Sequence, residues 1–249
     1  MSRTTDFQSP WRFWHGAGVL AAAMTLYTGL SWGHMELVRQ TVGMEAYLGN
    51  GPRLPVHVLL AGQWIKAVAL IGVLVLLALW PKRLGWAAVG LRPVAGIWIA
   101  LAICVALVLF LFRLGLARMI RWSLPGWADF MPDPFIFGAG QTVWMAGLYL
   151  VTTLVVTPVV EEVFFRGFLF KWMSGHRPVW LAAGLSSVMF GVMHILPPQA
   201  ISAALMALVL CWLYWRTGSI WPAIAAHMTN NALGVVIGAL GVSGLSPGS

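Results

Sequence analysis

The stretch VVEEVFFRGFLF, residues 159–170, sets two adjacent carboxylates and an arginine inside an apolar run. The chain has seven acidic residues. Asp6, Glu36, Glu45, Asp129 and Asp133 fall in the N-terminal segment or in expected loops, so Glu161 and Glu162 are the only acids inside the expected spans. An ionised acid near a bilayer centre costs at least a few kcal/mol on insertion scales. That cost points to function, with a paired structural charge as the bland alternative. Glu162 and Arg166 are four apart, on one helical face, and read as a structural clamp that compensates both charges. Glu161 points about 100° away from Glu162. It has no local partner and must find one on another helix.

Histidine supplies candidates. Of six histidines, only His194, closing FGVMH, and His227, opening HMTNN, fall in the C-terminal spans. His227 and Asn231 project from one helical face. One such histidine alone is more often a satisfied buried imidazole, but Glu161, His194, His227 and Asn231 on three neighbouring helices weaken that reading. Counting from the inner ends at about 1.5 Å per residue puts all four about 14–24 Å deep, in a slab about 10 Å thick. The group offers a base, a second basic group and hydrogen-bond donors. Glu161 could take a proton from water that His194 helps to hold. His227 and Asn231 could donate to an oxyanion as a carbonyl turns tetrahedral. That is amide hydrolysis without a covalent intermediate; the G-x-S-x-G spacings at 29–33 and 244–248 lie away from these residues in sequence, as do Cys104 and Cys211.

EEVFFRG, FGVMH and HMTNN resemble, in order, the three motifs of the CPBP family, the CaaX-protease and bacteriocin-processing intramembrane peptidases also called Abi. Glu161, Glu162 and Arg166 match the first motif, Phe190 and His194 the second, His227 and Asn231 the third. The likeness covers roughly 141–235, with VGLRP at 89–93 resembling a further common feature. The resemblance implies an intramembrane endopeptidase in which Glu161 and His194 activate water and His227 and Asn231 form the oxyanion site. It also implies a helical bundle whose cavity opens to membrane and cytoplasm. Family members act on prenylated C-terminal tails in eukaryotes; bacterial ones are tied to peptide maturation or self-immunity. The implied partner is a membrane-associated or lipidated protein or peptide. The family is often labelled a metalloprotease, and two His with one Glu would suit zinc. An Asn in the oxyanion role favours the metal-free glutamate route, in which no cofactor is required; zinc stays open.

The elements that must position these residues follow from composition. The 249 residues are 60% hydrophobic and 9% charged, with a mean hydropathy of +0.84. Soluble domains carry about 25% charged residues. The runs are solid Leu, Val, Ala and Ile rather than alternating, so the expectation is an all-α polytopic transmembrane bundle of about seven (six to eight) spans, with the active site between the C-terminal helices. The spans are expected near 14–32, 58–80, 94–115, 141–172, 178–195, 199–215 and 219–240, the first an uncleaved span rather than a signal peptide. They group as N-terminal helices and long loop (1–140), catalytic core (141–240) and short tail (241–249). Pro158 should kink the long fourth span. Lys66, roughly 9 Å deep, should snorkel to the surface.

The net charge of +8 is no nucleic-acid footprint, because the 15 basic residues are scattered, mostly at span ends. Trp32, Trp80, Trp172, Trp180, Trp215 and Trp221 suit an interfacial belt. Lys and Arg placement favours a cytoplasmic N-terminus, with a bacterial plasma membrane as the expected location. RLGLARMIR at 113–121 conflicts with that orientation and reads as a short amphipathic interfacial helix. The connection at 116–140 covers a site or merely links. The competing functional class is a non-catalytic scaffold, a peptide-binding immunity protein or a proton-coupled carrier; against a carrier, the chain shows no repeated halves.

Overall fold

A computed structural model describes residues 8–43, 54–123, 142–194 and 197–239. Among these the chain forms seven helices and no strand. They are α1 (Phe13–Thr41), α2 (Val56–Lys82), α3 (Gly96–Ser123), α4 (Val143–Ser174), α5 (Val179–Val192), α6 (Pro197–Thr217) and α7 (Trp221–Ala239). α2, α3, α4 and α6 contain stretches long and apolar enough to cross a membrane, and α5 is apolar but shorter. α1 and α7 are not in that set. Trp14, His15, Thr25, Tyr27 and Thr28 dilute the apolar part of α1; His227, Asn230 and Asn231 dilute α7. The polar residues expected to do chemistry are thus part of what lowers the hydropathy of their own helix. Large apolar side chains stand exposed on the outer faces, among them Val108, Leu111 and Val188. Lipid is the solvent that accepts such a surface, and the chain is an integral membrane protein.

α4 is the centre. From Val160 to Trp172 every residue is buried, with Phe164, Phe165, Phe168, Leu169 and Phe170 at the heart of the core. A helix that is apolar all round belongs inside a bundle. In a bilayer such burial gains little from leaving lipid, so close packing between helices is what holds the bundle together. α5 and α6 form a hairpin against α4, α3 lies along α7, and α1 lies along α2. Gly191 permits the hairpin: a Cβ there would sit 2.6 Å from the Ala200 carbonyl oxygen. The link between α2 and α3 is strapped to the far ends of three helices. Lys171 Nζ donates to the Ala88 carbonyl (2.9 Å), Ser219 Oγ to the Arg92 carbonyl (2.7 Å), and Ile220 N–H to the Gly90 carbonyl (2.9 Å). Gly90 adopts φ 86°, and a Cβ on it would meet the Tyr214 ring at 2.4 Å.

Several expectations change. Residues 113–121 are not a separate interfacial helix. With no proline between 96 and 123, α3 runs straight through them. The expected connection at 116–140 therefore begins as helix, and 124–141 lies outside the described residues, as does the tail 241–249. α1 continues past the expected boundary, so Glu36 and Arg39 are helical. Arg39 donates to both Glu36 oxygens (2.8 and 2.6 Å), and these bonds, with one from Gln40, lower the Glu36 carboxyl to about 2. Trp172 is buried and stacked on Phe168, 6.1 Å between centroids, and so takes no part in an interfacial belt. α4 passes through Pro158 as a continuous helix, with wide turns at Thr152–Val156 and Val163–Phe170 on either side.

Candidate active site

α4 presents Thr153, Thr157 and Glu161 at four-residue intervals, a stripe along one side. α2 meets it with Gln63 and Lys66. Gln63 donates to the Thr153 hydroxyl (3.1 Å) and accepts from the Thr157 hydroxyl (3.1 Å). One turn on, the Lys66 ammonium is hydrogen-bonded and ion-paired with Glu161 Oε1. Lys66 does not snorkel to the surface. α2 begins at Val56, which sets Lys66 about 15 Å along it at 1.5 Å per residue, and a carboxylate is within reach there. Glu161 therefore has a cationic partner that sequence reasoning missed.

α7 approaches from the other side. His227 Nε2 lies 3.6 Å from Glu161 Oε2, and its Nδ1 lies 2.8 Å from Glu162 Oε1. The same Glu162 oxygen accepts from Arg166 Nη1 at 2.9 Å. Glu162 and Arg166 have fully buried side chains, as the expected clamp requires, but the clamp also grips the His227 ring. A carboxylate only accepts, so Nδ1 carries the proton. Nε2 can then donate to anything only when the ring is doubly protonated.

Asn231 is placed by a proline. The Thr157 N–H donates to the Thr152 carbonyl in the wide turn. The next donor in that register would be residue 158, which is proline and has no N–H. The Thr153 carbonyl, so released, accepts from Asn231 Nδ2 at 3.1 Å. One N–H of that amide stays available.

His194 sits in the turn just past α5 rather than within a span. Its Nδ1 lies 2.9 Å from the Phe190 carbonyl oxygen, a pure acceptor, so the neutral ring keeps its lone pair on Nε2. The Phe190 ring organises the centre: its centroid is 4.8 Å from that of His194 and 5.8 Å from that of His227, and the Arg166 guanidinium lies over its face at 4.3 Å.

His194, His227 and Asn231 line one cavity of about 80 Å³, with Arg113 of α3 and Gln199 and Ser202 of α6 also in its wall. On this measure one water needs only about 10–15 Å³, so the cavity has room for several waters. Glu161 is 3% exposed and is not in the cavity wall; it contacts His227, which is. The structure thus brings together Glu161, Glu162, Arg166 and His227 by direct contact, and His194, His227 and Asn231 around one space.

The zinc that the family label implies can be tested against these side chains. Zinc takes nitrogen at about 2.0–2.1 Å in a tight tetrahedral set. Here Glu161 Oε1 is held by the Lys66 ammonium, while the Glu162 bond to His227 Nδ1 orients that ring as a carboxylate orients a zinc-ligating histidine and leaves Nε2 as its donor atom. Among the described residues no three His, Cys, Asp or Glu side chains converge as ligands. As they stand, the side chains around Glu161 form no tetrahedral ligand set among the described residues.

Fold and site together define an integral membrane helical bundle with a buried charged cluster beside a polar cavity. Residues 142–233 match the family model described as Rce1-like, type II CAAX prenyl endopeptidase Rce1-like. A relative from Bacillus subtilis (strain 168), "Putative membrane peptidase YdiL", is 26% identical over 113 residues, 41% of this chain and 46% of that protein. The match therefore spans less than half of the relative's length. No solved structure matches. Both matches support the CPBP resemblance of the segment 142–233.

Proposed function

We propose that the protein is an intramembrane endopeptidase that hydrolyses a peptide bond of a membrane-associated or lipidated protein by a metal-free route. The observation that carries the reading is the meeting of Glu161 with His227 at 3.6 Å beside a cavity that His194, His227 and Asn231 line. Lys66 holds Glu161 Oε1 and keeps the carboxylate ionised, which leaves Oε2 to accept a proton from water. His194, with its Nε2 lone pair, fixes that water. The resulting hydroxide attacks the amide carbon. The carbonyl oxygen becomes an oxyanion that the doubly protonated His227 and the second Asn231 N–H receive. The proton taken by Glu161 passes to the leaving nitrogen, the C–N bond breaks, and a carboxylic acid and an amine result.

A structural role for Glu161 is the competing reading, and the Lys66 ion pair is what favours it. Mass spectrometry of membrane proteins from cells carrying the parental chain or Glu161→Gln separates the two. The expected outcome is a set of termini that stay unprocessed in Glu161→Gln, with the purified variant about 10²- to 10⁴-fold slower on the same substrate and bound zinc well below one ion per chain in both. Processing at the parental rate would retire the peptidase reading; stoichiometric zinc, with activity lost on chelation, would retire the metal-free route.

A further inference from the structure

The cavity wall contains a cation that the proposed chemistry does not use. Arg113, on α3, is half-buried and lines the same space as His194, His227 and Asn231. Among the described residues no carboxylate pairs with it; its described contact is with the ring of Phe110 on its own helix, 5.5 Å to the centroid. A guanidinium held in an apolar bundle without a counter-charge is costly. The surrounding wall from α3 and α6 is largely apolar, with Leu109, Phe112, Leu205 and Met206. What enters the cavity must bring the negative charge.

Its position along α7 sets a spacing. A Cβ built on Gly234 would lie 4.0 Å from Arg113 Nη2. Gly234 is two turns beyond His227, about 10 Å along the helix axis. An extended peptide rises about 3.3 Å per residue, so about three residues bridge the His227–Asn231 end and Arg113. Guanidinium pairs with carboxylate through two parallel bonds in a geometry an ammonium cannot reproduce.

Resting on the peptidase reading for the identity of the bond, we propose that Arg113 is a carboxylate subsite. It holds the C-terminal carboxylate of a substrate whose scissile bond lies two or three residues upstream, against His227 and Asn231.

The test uses the full chain in nanodiscs of zwitterionic lipid and a farnesylated Cys-X-X-X peptide library made as the free acid, as the C-terminal amide, and as the amide with Asp at the last position. Retention and cleavage are both read by mass spectrometry. The expected result is about tenfold or greater preference for the free acid over the plain amide in the parental chain. That preference should vanish in Arg113→Met and return in part in Arg113→Lys. Equal handling of acid and amide by the parental chain, or a preference that survives Arg113→Met, would overturn the subsite while leaving Glu161-dependent cleavage standing. Arg113-dependent retention without cleavage would keep the subsite and remove the peptidase reading. Retention of neither acid nor amide overturns the subsite. Rescue of the plain Asp amide to the level of the acid would reassign it to an acidic side chain and overturn the C-terminal reading. Arg113-dependent capture of added phosphatidylglycerol in place of the acid would assign the guanidinium to a lipid headgroup and overturn it too.

Discussion

One oxygen of Glu162 accepts from two donors, Arg166 Nη1 at 2.9 Å and His227 Nδ1 at 2.8 Å. The first bond neutralises a buried guanidinium; the second decides which nitrogen of His227 faces Glu161. A clamp and a tautomer are therefore set by one atom. Glu162→Gln separates the two effects, because an amide can turn its NH2 group toward Nδ1 and force the opposite tautomer. An amide on Nδ1 disfavours the doubly protonated ring and leaves a neutral Nε2–H in its place, so kcat should fall, by less than the roughly 10²- to 10³-fold cost of losing an oxyanion donor outright, with a lower melting temperature from the weakened Arg166 pair. A lower melting temperature with kcat unchanged would leave Glu162 a clamp and nothing more. The Glu162–Arg166 pair was legible in the sequence because a four-residue spacing is a local geometric rule. The Lys66–Glu161 pair was not. Its members stand 95 residues apart, and a lysine near a helix start reads as a surface anchor until the start is known to lie at Val56.

At the scale of helices, α4 is held from two sides through one stripe: α2 grips Thr153, Thr157 and Glu161, and α7 grips Thr153, Glu161 and Glu162. Pro158 is part of this arrangement, since its missing N–H leaves the Thr153 carbonyl for Asn231. Pro158→Ala supplies a competing backbone donor. The expected outcome is a melting temperature equal to or above the parental one, with kcat lower but less so than the roughly 10²- to 10³-fold expected for Asn231→Ala. Equal activity would show that Asn231 needs no help from the backbone. The α2–α4 contact is tested by a double-mutant cycle read in detergent by thermal unfolding. Lys66→Met should destabilise by about 3 kcal/mol, because it strands a buried carboxylate. Lys66→Met with Glu161→Gln should recover most of that, and additive losses would mean the pair is not coupled. Helix number and approximate limits were readable because apolar runs are long and separated by Gly, Pro and charge. The fate of 113–121 was not, since an arginine spacing fits both an interfacial helix and a helix that aims one arginine inward; packing along α7 decides.

For the molecule as a whole, the charges of the central cluster balance. Lys66 and Arg166 offset Glu161 and Glu162 there, while Lys171 and Arg113 stand outside it. The balance exists only in the finished bundle. Ribosomes deliver α2 before α4, so Lys66 reaches the bilayer while Glu161 is still unmade. For that interval α2 carries a naked ammonium, a penalty of about 2.5–3.5 kcal/mol near mid-membrane on translocon scales. α2 is thus the weak step of biogenesis. It must wait at the insertion machinery or in the headgroup layer until the later helix arrives and neutralises it.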